Sequence, residues 1–545
     1  MIVIAGLIYC SLRNDGTDYF LSVLPRTYAM NILIPYFILI GLSYVASCFL
    51  EKNKIFANSF FVSILIMTSP FLEKLIWRKK PEGFPIDKIV EKIKGFFGIF
   101  YQNAGWSPDT QYGLQTEDVR LFLQLFWIFL ILGYLLWTHD RRKTRSKAVC
   151  FSCIVVAVVM GILSFGSASI YRQNESWNGI FADFFYYEED GISAPKNKKT
   201  DYYISKYDLN VELKNQLSVS GRLCLLSPAA SDEFVLTLYH GYHIKAIRAE
   251  NFDISYQRNK DSIILKLPQK VNTCNLEIEY EGYSGKYYSN SQAVMLPGYF
   301  PWYPMAGEKQ VFVQYPYYNG GNGYNPYNRI PEAEVILEVH TKCNFVTNLE
   351  AKDEHVFTGK ADSISLIGGN ITKTDDDSFI NYLPLELNGI NEHKYLEKIK
   401  QNWNQTLTEI RSIFGIDIDD LKKKKMIMVS KDMGRNFWNN YFVEFDDYIL
   451  FSSDYLDSST YINYLLQKTG KESQIGDLFA SAIISSEEIS AEKIIEKMIT
   501  KESENQQFLS QMEGYVREER VSNRLELLRA QRGLIVFFRK SFGIC

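Results

Sequence analysis

The sequence predicts a multi-domain chain: an α-helical transmembrane bundle, then an antiparallel β-sandwich-like domain, then a mainly α (α+β) domain. Three observations predict it. Long apolar runs crowd residues 1–170. From about residue 205 short segments alternate apolar and polar with period two, the signature of half-buried strands. From about Glu392 the apolar residues fall at helical spacing instead. The division expected is 1–170 in the membrane, 171–204 as linker, 205–370 as the β domain and 371–545 as the last domain.

Four spans are expected, at about 30–50, 56–76, 121–137 and 148–170. The last, Ala148 to Ile170, holds 23 residues and no charge. A helix of that length covers about 34 Å at about 1.5 Å per residue, enough for a hydrocarbon core of about 30 Å. Arg141, Arg142, Lys143, Arg145 and Lys147 crowd the short loop before it. Short basic loops stay on the cytoplasmic side, so the chain after Ile170 is expected outside the cytoplasm, in the cell membrane of a bacterium. The loop before Leu121 is basic too, through Arg78, Lys79, Lys80, Lys88, Lys92 and Lys94. Both loops cannot be cytoplasmic across one span. Ile86, Ile89, Val90, Ile93, Phe97 and Phe100 fit either an interfacial amphipathic helix or an ordinary surface helix. Met1–Cys10 lacks a basic leader and a cleavage site; it reads as the tail of a span.

Beyond the linker, Tyr207–Leu213 and Asn275–Tyr280 alternate with period two, and Gly, Asn and Asp punctuate the runs between them. Lys425–Val429 and Tyr448–Phe451 are strand-like interruptions of the helical pattern. The net charge is −4 and no basic block follows residue 200. Nucleic-acid binding therefore has no electrostatic support. Cys224 and Cys274 fit either a cross-strand pair or two separate buried thiols; no zinc spacing emerges among the eight cysteines. His240-x-x-His243 reads as two imidazoles on opposite faces of a strand. Asp446–Asp447 and Glu487–Glu488 read as solvated carboxylates. Asp375–Asp376–Asp377 reads as a polar loop, with calcium as the alternative.

The most distinctive soluble feature is aromatic. Aromatics make up 15% of the chain. Tyr299, Trp302 and Tyr303 cluster, followed by Tyr315, Tyr317 and Tyr324 around a glycine-rich loop. Two readings stay open: packing of one domain on the next, or a ligand surface of rigid rings with polar tips. No G-x-x-x-x-G-K-[ST] occurs, so ATP hydrolysis requires a separate subunit.

Two resemblances add to this. Asp15-Gly16-Thr17-Asp18, running on through Ser22-Val23-Leu24-Pro25-Arg26, resembles the coupling segment of type-2 ABC exporter permeases. The resemblance implies a cytoplasmic contact with an ATPase subunit through Asp15, Gly16, Thr17, Asp18, Pro25 and Arg26. It also implies a second permease copy or homologue. Tyr207–Leu213 with Val219-Ser220-Gly221, Tyr280–Gly285, Trp302-Tyr303-Pro304 and Ser365–Gly369 together resemble the opening domain of the aminopeptidase N family of zinc peptidases. That implies a thermolysin-like last domain.

The family's chemistry is missing from the residues. A zinc peptidase needs H-E-x-x-H, because side chains four apart on a helix reach one metal. The six histidines are His139, His240, His243, His340, His355 and His393, and none lies further along. Tyr464–Lys468 stands where the zinc helix is expected, and Arg435–Asn440 where the substrate stretch is. The expectation is a pseudo-peptidase domain with no cofactor and no catalytic residues. It serves a permease subunit bound to membrane lipid and exporting a peptide-like or lipophilic cargo. The alternatives are a membrane-anchored binding or sensor protein and an active membrane-tethered metallopeptidase.

Overall fold

The computed structural model describes residues 25–50, 55, 58, 109–113, 118–139, 144–166, 179–188, 191–193, 200–250, 254–314, 322–376, 378–387, 390–414, 419–430 and 442–452. Three helices there are long and apolar enough to cross a membrane: Pro25–Cys48, Arg120–Thr138 and Lys147–Ser164. The regular parts are α1 (Ile34–Leu50), α2 (Asp118–His139) and α3 (Thr144–Gly166). The span expected at 56–76 lies outside the described residues except for Asn58.

A π turn, Ala29–Leu33, precedes α1. Its cause is legible in the sequence. The Ile34 N–H reaches back five residues to the Ala29 carbonyl. The next donor in that pattern belongs to Pro35, which has no N–H. The Met30 carbonyl is left over, and Gln124 Nε2 of α2 donates to it. One turn earlier Arg26 pairs with Asp118 at 2.6 Å. Further along, Gly41 packs against Ile131, so closely that an added Cβ would lie 2.8 Å from its side chain. The contacts advance in the same direction on both helices, so α1 and α2 run parallel. By contrast α2 and α3 are joined by residues 140–143 alone and fold back on each other, with Cys150 Sγ donating to the Gly133 carbonyl at 3.2 Å. The starts of α1 and α2 and the end of α3 therefore share one end of the helical layer.

The body is built on a nine-stranded sheet. Its centre is β1 (Tyr203–Leu213), β2 (Leu217–Thr237) and β5 (Ser262–Gly282), with β3 (Tyr242–Ala249) and β4 (Ser255–Asn259) on successive parts of β5. Along β2, Leu217, Val219, Leu223 and Leu225 are buried while Ser220 and Arg222 face out. That alternation is what the period-two pattern encodes. The expectation of a purely antiparallel sheet is corrected: β1 pairs in parallel with Ala333–His340. Those partners are separated by more than a hundred residues, so no hairpin constrains their direction. A helix, α4 (Gly179–Glu188), occupies part of the expected linker and packs on the body. Cys224 and Cys274 are both free thiols. Cys274 faces Leu225 across the ladder and Cys224 faces Asn275, so the pleat sends the two thiols to opposite faces.

The core does not stop at 370. One apolar cluster runs from Ile204 through Leu366 to Phe451. It takes in the three-stranded sheet of Lys425–Met428, Tyr448–Phe451 and Phe442–Glu444. Tyr395, Ile399, Trp403 and Leu407 of helix Glu392–Phe414 join it at i, i+4 spacing. Tyr112 belongs to the same cluster. Residues 109–113, five positions before α2, are thus part of the body.

Candidate functional site

A group of buried polar side chains lies where α4 meets the turn between β2 and β3. The turn is tight because two backbones cross there. A Cβ on Gly241 would lie 2.4 Å from the Tyr283 carbonyl, and one on Gly282, at φ +150°, would lie 2.2 Å from the Gly241 carbonyl. Only glycines fit both strands of the crossing. Arg258 on β4 holds the turn from behind. Its guanidinium donates to the carbonyls of Leu238 at 3.1 Å, Tyr239 at 2.9 Å and Tyr242.

This turn points His240 at two carboxylates. Nε2 lies 3.2 Å from Asp183 on α4, and Nδ1 lies 3.2 Å from Asp261, between β4 and β5. The His240 backbone N–H also donates to Asp261, at 2.6 Å. Phenols complete the group. Tyr239 reaches both oxygens of Asp183 at 2.8 Å, Tyr324 donates to Asp183, and Tyr187 donates to Asp261 at 2.8 Å. The Tyr186 ring stacks on the imidazole at 3.9 Å.

Electrostatics follow from this geometry. Burial pulls the imidazole toward neutrality, and hydrogen bonds to Asp183 and Asp261 outweigh it, raising His240 from 6.5 to about 9. With both ring nitrogens facing carboxylates, only the imidazolium has a proton for each. Burial, then the neighbouring carboxylates, pushes Tyr187, Tyr239 and Tyr324 well above the usual phenol range. Asp183 is only 4% exposed, and three donors already surround its oxygens. The cluster is a closed clamp that fastens α4 to the sheet.

Of the two readings open for the aromatic cluster, the described residues fit packing. Tyr299, Trp302, Tyr303 and Tyr324 are fully buried. Trp302 Nε1 donates to the Ile364 carbonyl at 2.9 Å, and Tyr303 Oη to the Gly298 carbonyl at 2.8 Å. Tyr299 and Tyr287 share a hydroxyl–hydroxyl bond of 2.5 Å. These rings are core: the polar tips of Trp302 and Tyr303 satisfy backbone groups, and those of Tyr299 and Tyr324 reach a phenol and a carboxylate. Tyr315 and Tyr317 lie outside the described residues, as do Asp15, Gly16, Thr17 and Asp18. Pro25 opens the first described helix, and Arg26 is spent on Asp118.

The remaining sequence candidates separate. His240 sits in a turn and not on a strand, and His243 is exposed on β3. Asp376 caps a loop, accepting from the Ser378 and Phe379 amides and pairing with Lys400 at 2.5 Å. Among the described residues no three His, Cys, Asp or Glu are grouped to hold a metal. Asp377, Arg435–Asn440, Tyr464–Lys468 and Glu487–Glu488 are outside the described residues. The signal sequence reasoning missed was in Tyr239-His240-Gly241-Tyr242: a glycine inside an apparent strand marks a turn or a close crossing.

No protein-family model matches the chain, and no curated protein matches it. Solved structures do. Yeast LTA4 hydrolase in complex with bestatin is 12% identical, over 52% of this chain and 48% of that one, with a TM-score of 0.33. An M1 zinc metallopeptidase from Deinococcus radiodurans is 14% identical, over 54% and 73%, with a TM-score of 0.32. The chain spans about half the length of the yeast hydrolase. These neighbours are zinc metallopeptidases of the M1 and LTA4 hydrolase type, matched at low identity and in part. The match carries no statement about activity.

Proposed function

We propose that the protein is the membrane subunit of an ATP-driven exporter of the ABC type, whose body recognises or gates cargo and does not hydrolyse it. One observation carries the choice over a simple tethered binder: the body grips the chain immediately before α2. Gln111 is fully buried there. Its Nε2 donates to the carbonyls of Val294 and Gly368, both at 3.1 Å, and its Oε1 accepts from the Ser430 amide at 3.1 Å. Thr110 donates to Glu386 at 2.7 Å. A tethered domain needs only a flexible linker. A strut through the body joined to a membrane helix couples the motions of the two.

Helix directions bear on orientation. Arg26, Asp118 and the body share one end of the helical layer. With the basic loop Arg141–Lys147 cytoplasmic, that end is extracytoplasmic. The likeness of Asp15–Arg26 to a cytoplasmic coupling segment supports the opposite orientation, with that end of the layer facing the ATPase, and only one of the two orientations can hold. Lack of peptidase chemistry is supported by the sequence, where H-E-x-x-H does not occur.

The test is co-purification of the full chain from its native membrane. An associated ATP-hydrolysing subunit, whose turnover changes on Gln111→Ala, is the expected result. A chain that purifies alone overturns transport and leaves a membrane-anchored binding protein. Bound zinc with hydrolysis of aminoacyl substrates overturns the non-hydrolytic body.

A further inference from the structure

Asp109–Gly113 is folded by its own bonds. The Asp109 carboxylate accepts from the backbone N–H groups of Gln111 at 2.8 Å and Tyr112 at 3.1 Å. The Gly113 N–H closes the turn on the Asp109 carbonyl at 2.8 Å, with Gly113 at φ +73°, a conformation that suits glycine. The walls that receive this turn are also held by bonds of their own. Gly368 is paired with Val294 on one side and Phe345 on the other. Asn290 Oδ1 accepts from the Gln292 and Ala293 amides, which turns its Nδ2 toward the Tyr112 hydroxyl at 3.2 Å. Neither of these wall arrangements uses an atom of the turn to hold its shape.

The contact between turn and walls reads side chains. Gln111 Nε2 gives its protons to the Val294 and Gly368 carbonyls, and its Oε1 takes the Ser430 N–H. A carboxylate there would set an acceptor against two carbonyls. The Tyr112 ring stands edge-on to Tyr288, centroids 5.1 Å apart, and its carbonyl accepts from Gln292 Nε2 at 3.1 Å. The Gln111 carbonyl accepts from the Asn370 N–H at 2.7 Å, beside Gly369, whose added Cβ would lie 2.5 Å from that carbonyl. The wall is glycine where main chain meets main chain. We infer that this part of the body is a peptide-recognition groove for a Gln-Tyr-Gly turn, filled by the chain's own Asp109–Gly113 and open to the same turn supplied by a separate peptide. Tyr112, which lies in the core cluster, is the anchor side chain of that ligand. A ligand folded before it docks loses little further freedom, which is why so short a segment suffices. The assignment goes beyond the transport reading, because it makes the link between the body and α2 an exchangeable ligand.

The experiment is hydrogen exchange on the full chain in lipid nanodiscs, without ATP, comparing the wild type with Gln111→Glu. In the variant the amides of residues 111–113 should exchange faster by about tenfold or more, while Val294–Leu296 and Leu366–Gly369 keep their wild-type rates, the mark of a local release. Loss of protection in those strands, or unfolding of the variant, overturns the groove, since the turn is then a structural part of the core. Unchanged exchange at 111–113 overturns it too. The second measurement supplies the turn in trans, as a fluorescein-labelled N-acetyl-Asp-Thr-Gln-Tyr-Gly amide read by fluorescence anisotropy. It should bind the Gln111→Glu chain saturably. It should bind the wild type about tenfold or more weakly, because the tethered turn competes at an effective concentration in the roughly millimolar range. The same peptide with Glu in place of Gln should bind the variant about tenfold or more weakly than the Gln peptide, for want of the amide donors. Equal affinity of the two peptides, or no binding to a variant whose own turn is released, overturns the proposal. No ATPase subunit takes part, so these outcomes and the co-purification result are read separately.

Discussion

Raising the pH should release α4 from the body. The group responsible is His240, whose protonated form lies between Asp183 and Asp261 at 3.2 Å from each. Its folded value, about 9, is above the unfolded value of 6.5. A group raised in this way contributes fully below the unfolded value and loses its contribution as pH climbs through the folded one. The window is therefore 6.5 to about 9. At about 1.4 kcal/mol per pH unit, the full effect is about 3 kcal/mol. Neighbouring groups are part of the argument. Tyr187, Tyr239 and Tyr324 stay protonated through this window because burial and the carboxylates raise them. Lys260 donates to the Tyr186 carbonyl at 3.2 Å and lies over the Tyr186 ring at 5.0 Å. The assay is hydrogen exchange of the peptide covering Gly179–Glu188, corrected for the intrinsic rate at each pH. Opening of the clamp is local, so exchange reads it without global unfolding. Protection should fall about a hundredfold between pH 6.5 and 9.5, the factor that about 3 kcal/mol corresponds to. In His240→Gln the dependence should vanish, with protection low throughout. A wild-type helix equally protected at both ends of the window refutes the clamp, as does a His240→Gln protein with the same pH response.

Other changes test the remaining geometry. Gly241→Ala should destabilise the body by about 1–3 kcal/mol through overpacking, because its Cβ would meet the Tyr283 carbonyl at 2.4 Å; a shift in the unfolding midpoint reads it. Trp302→Phe shrinks a fully buried ring and strips the Ile364 carbonyl of its donor; the lost bond alone should cost about 1–3 kcal/mol, with a cavity cost added to it, read by denaturant titration. A short bis-maleimide should join Arg26→Cys to Asp118→Cys in membranes, and should not join native Cys48 to Asp118→Cys, with linked peptides identified by mass spectrometry; the reverse outcome means α1 and α2 are antiparallel. A maleimide should modify half-buried Cys224 in the native chain and reach Cys274 only after denaturation. Oxidation should not bridge the two, because they point to opposite faces of the sheet.

What could be read from the chain was what depends on local pattern. Uncharged runs of twenty residues have few fates, so the membrane-capable helices were visible. Alternation along Tyr207–Leu213 announced a strand with one buried face. It did not announce the strand's neighbour, because period two reports burial and not the direction of the partner; hence the parallel pairing with Ala333–His340 was missed. The clamp was hidden for a related reason. Asp183, His240 and Asp261 come from three separate segments, and His240 looked like a strand residue until Gly241 was read as a crossing point. The aromatic run at 299–304 left two readings open. Tyr and Trp with polar tips suit a binding surface, but they equally suit a core dense in backbone carbonyls. The Trp302 indole and the Tyr303 phenol show the second use here.

The two attachments of the body beside the membrane-capable helices differ in kind. The Gln111 side chain bonds to main-chain groups of three distant segments, none of them titratable, while the carboxylates of Asp109 and Glu386 accept from its backbone and from Thr110. The three side-chain bonds are indifferent to pH. The α4 clamp beyond α3 is built from one imidazolium, two carboxylates and three phenols, and weakens without any repacking of apolar residues. A rise in pH would therefore loosen α4 from the sheet before it loosened the Gln111 side-chain bonds. Which anchor yields first is thus set by the chemistry of the two, an imidazolium between carboxylates on one side and an amide among main-chain groups on the other.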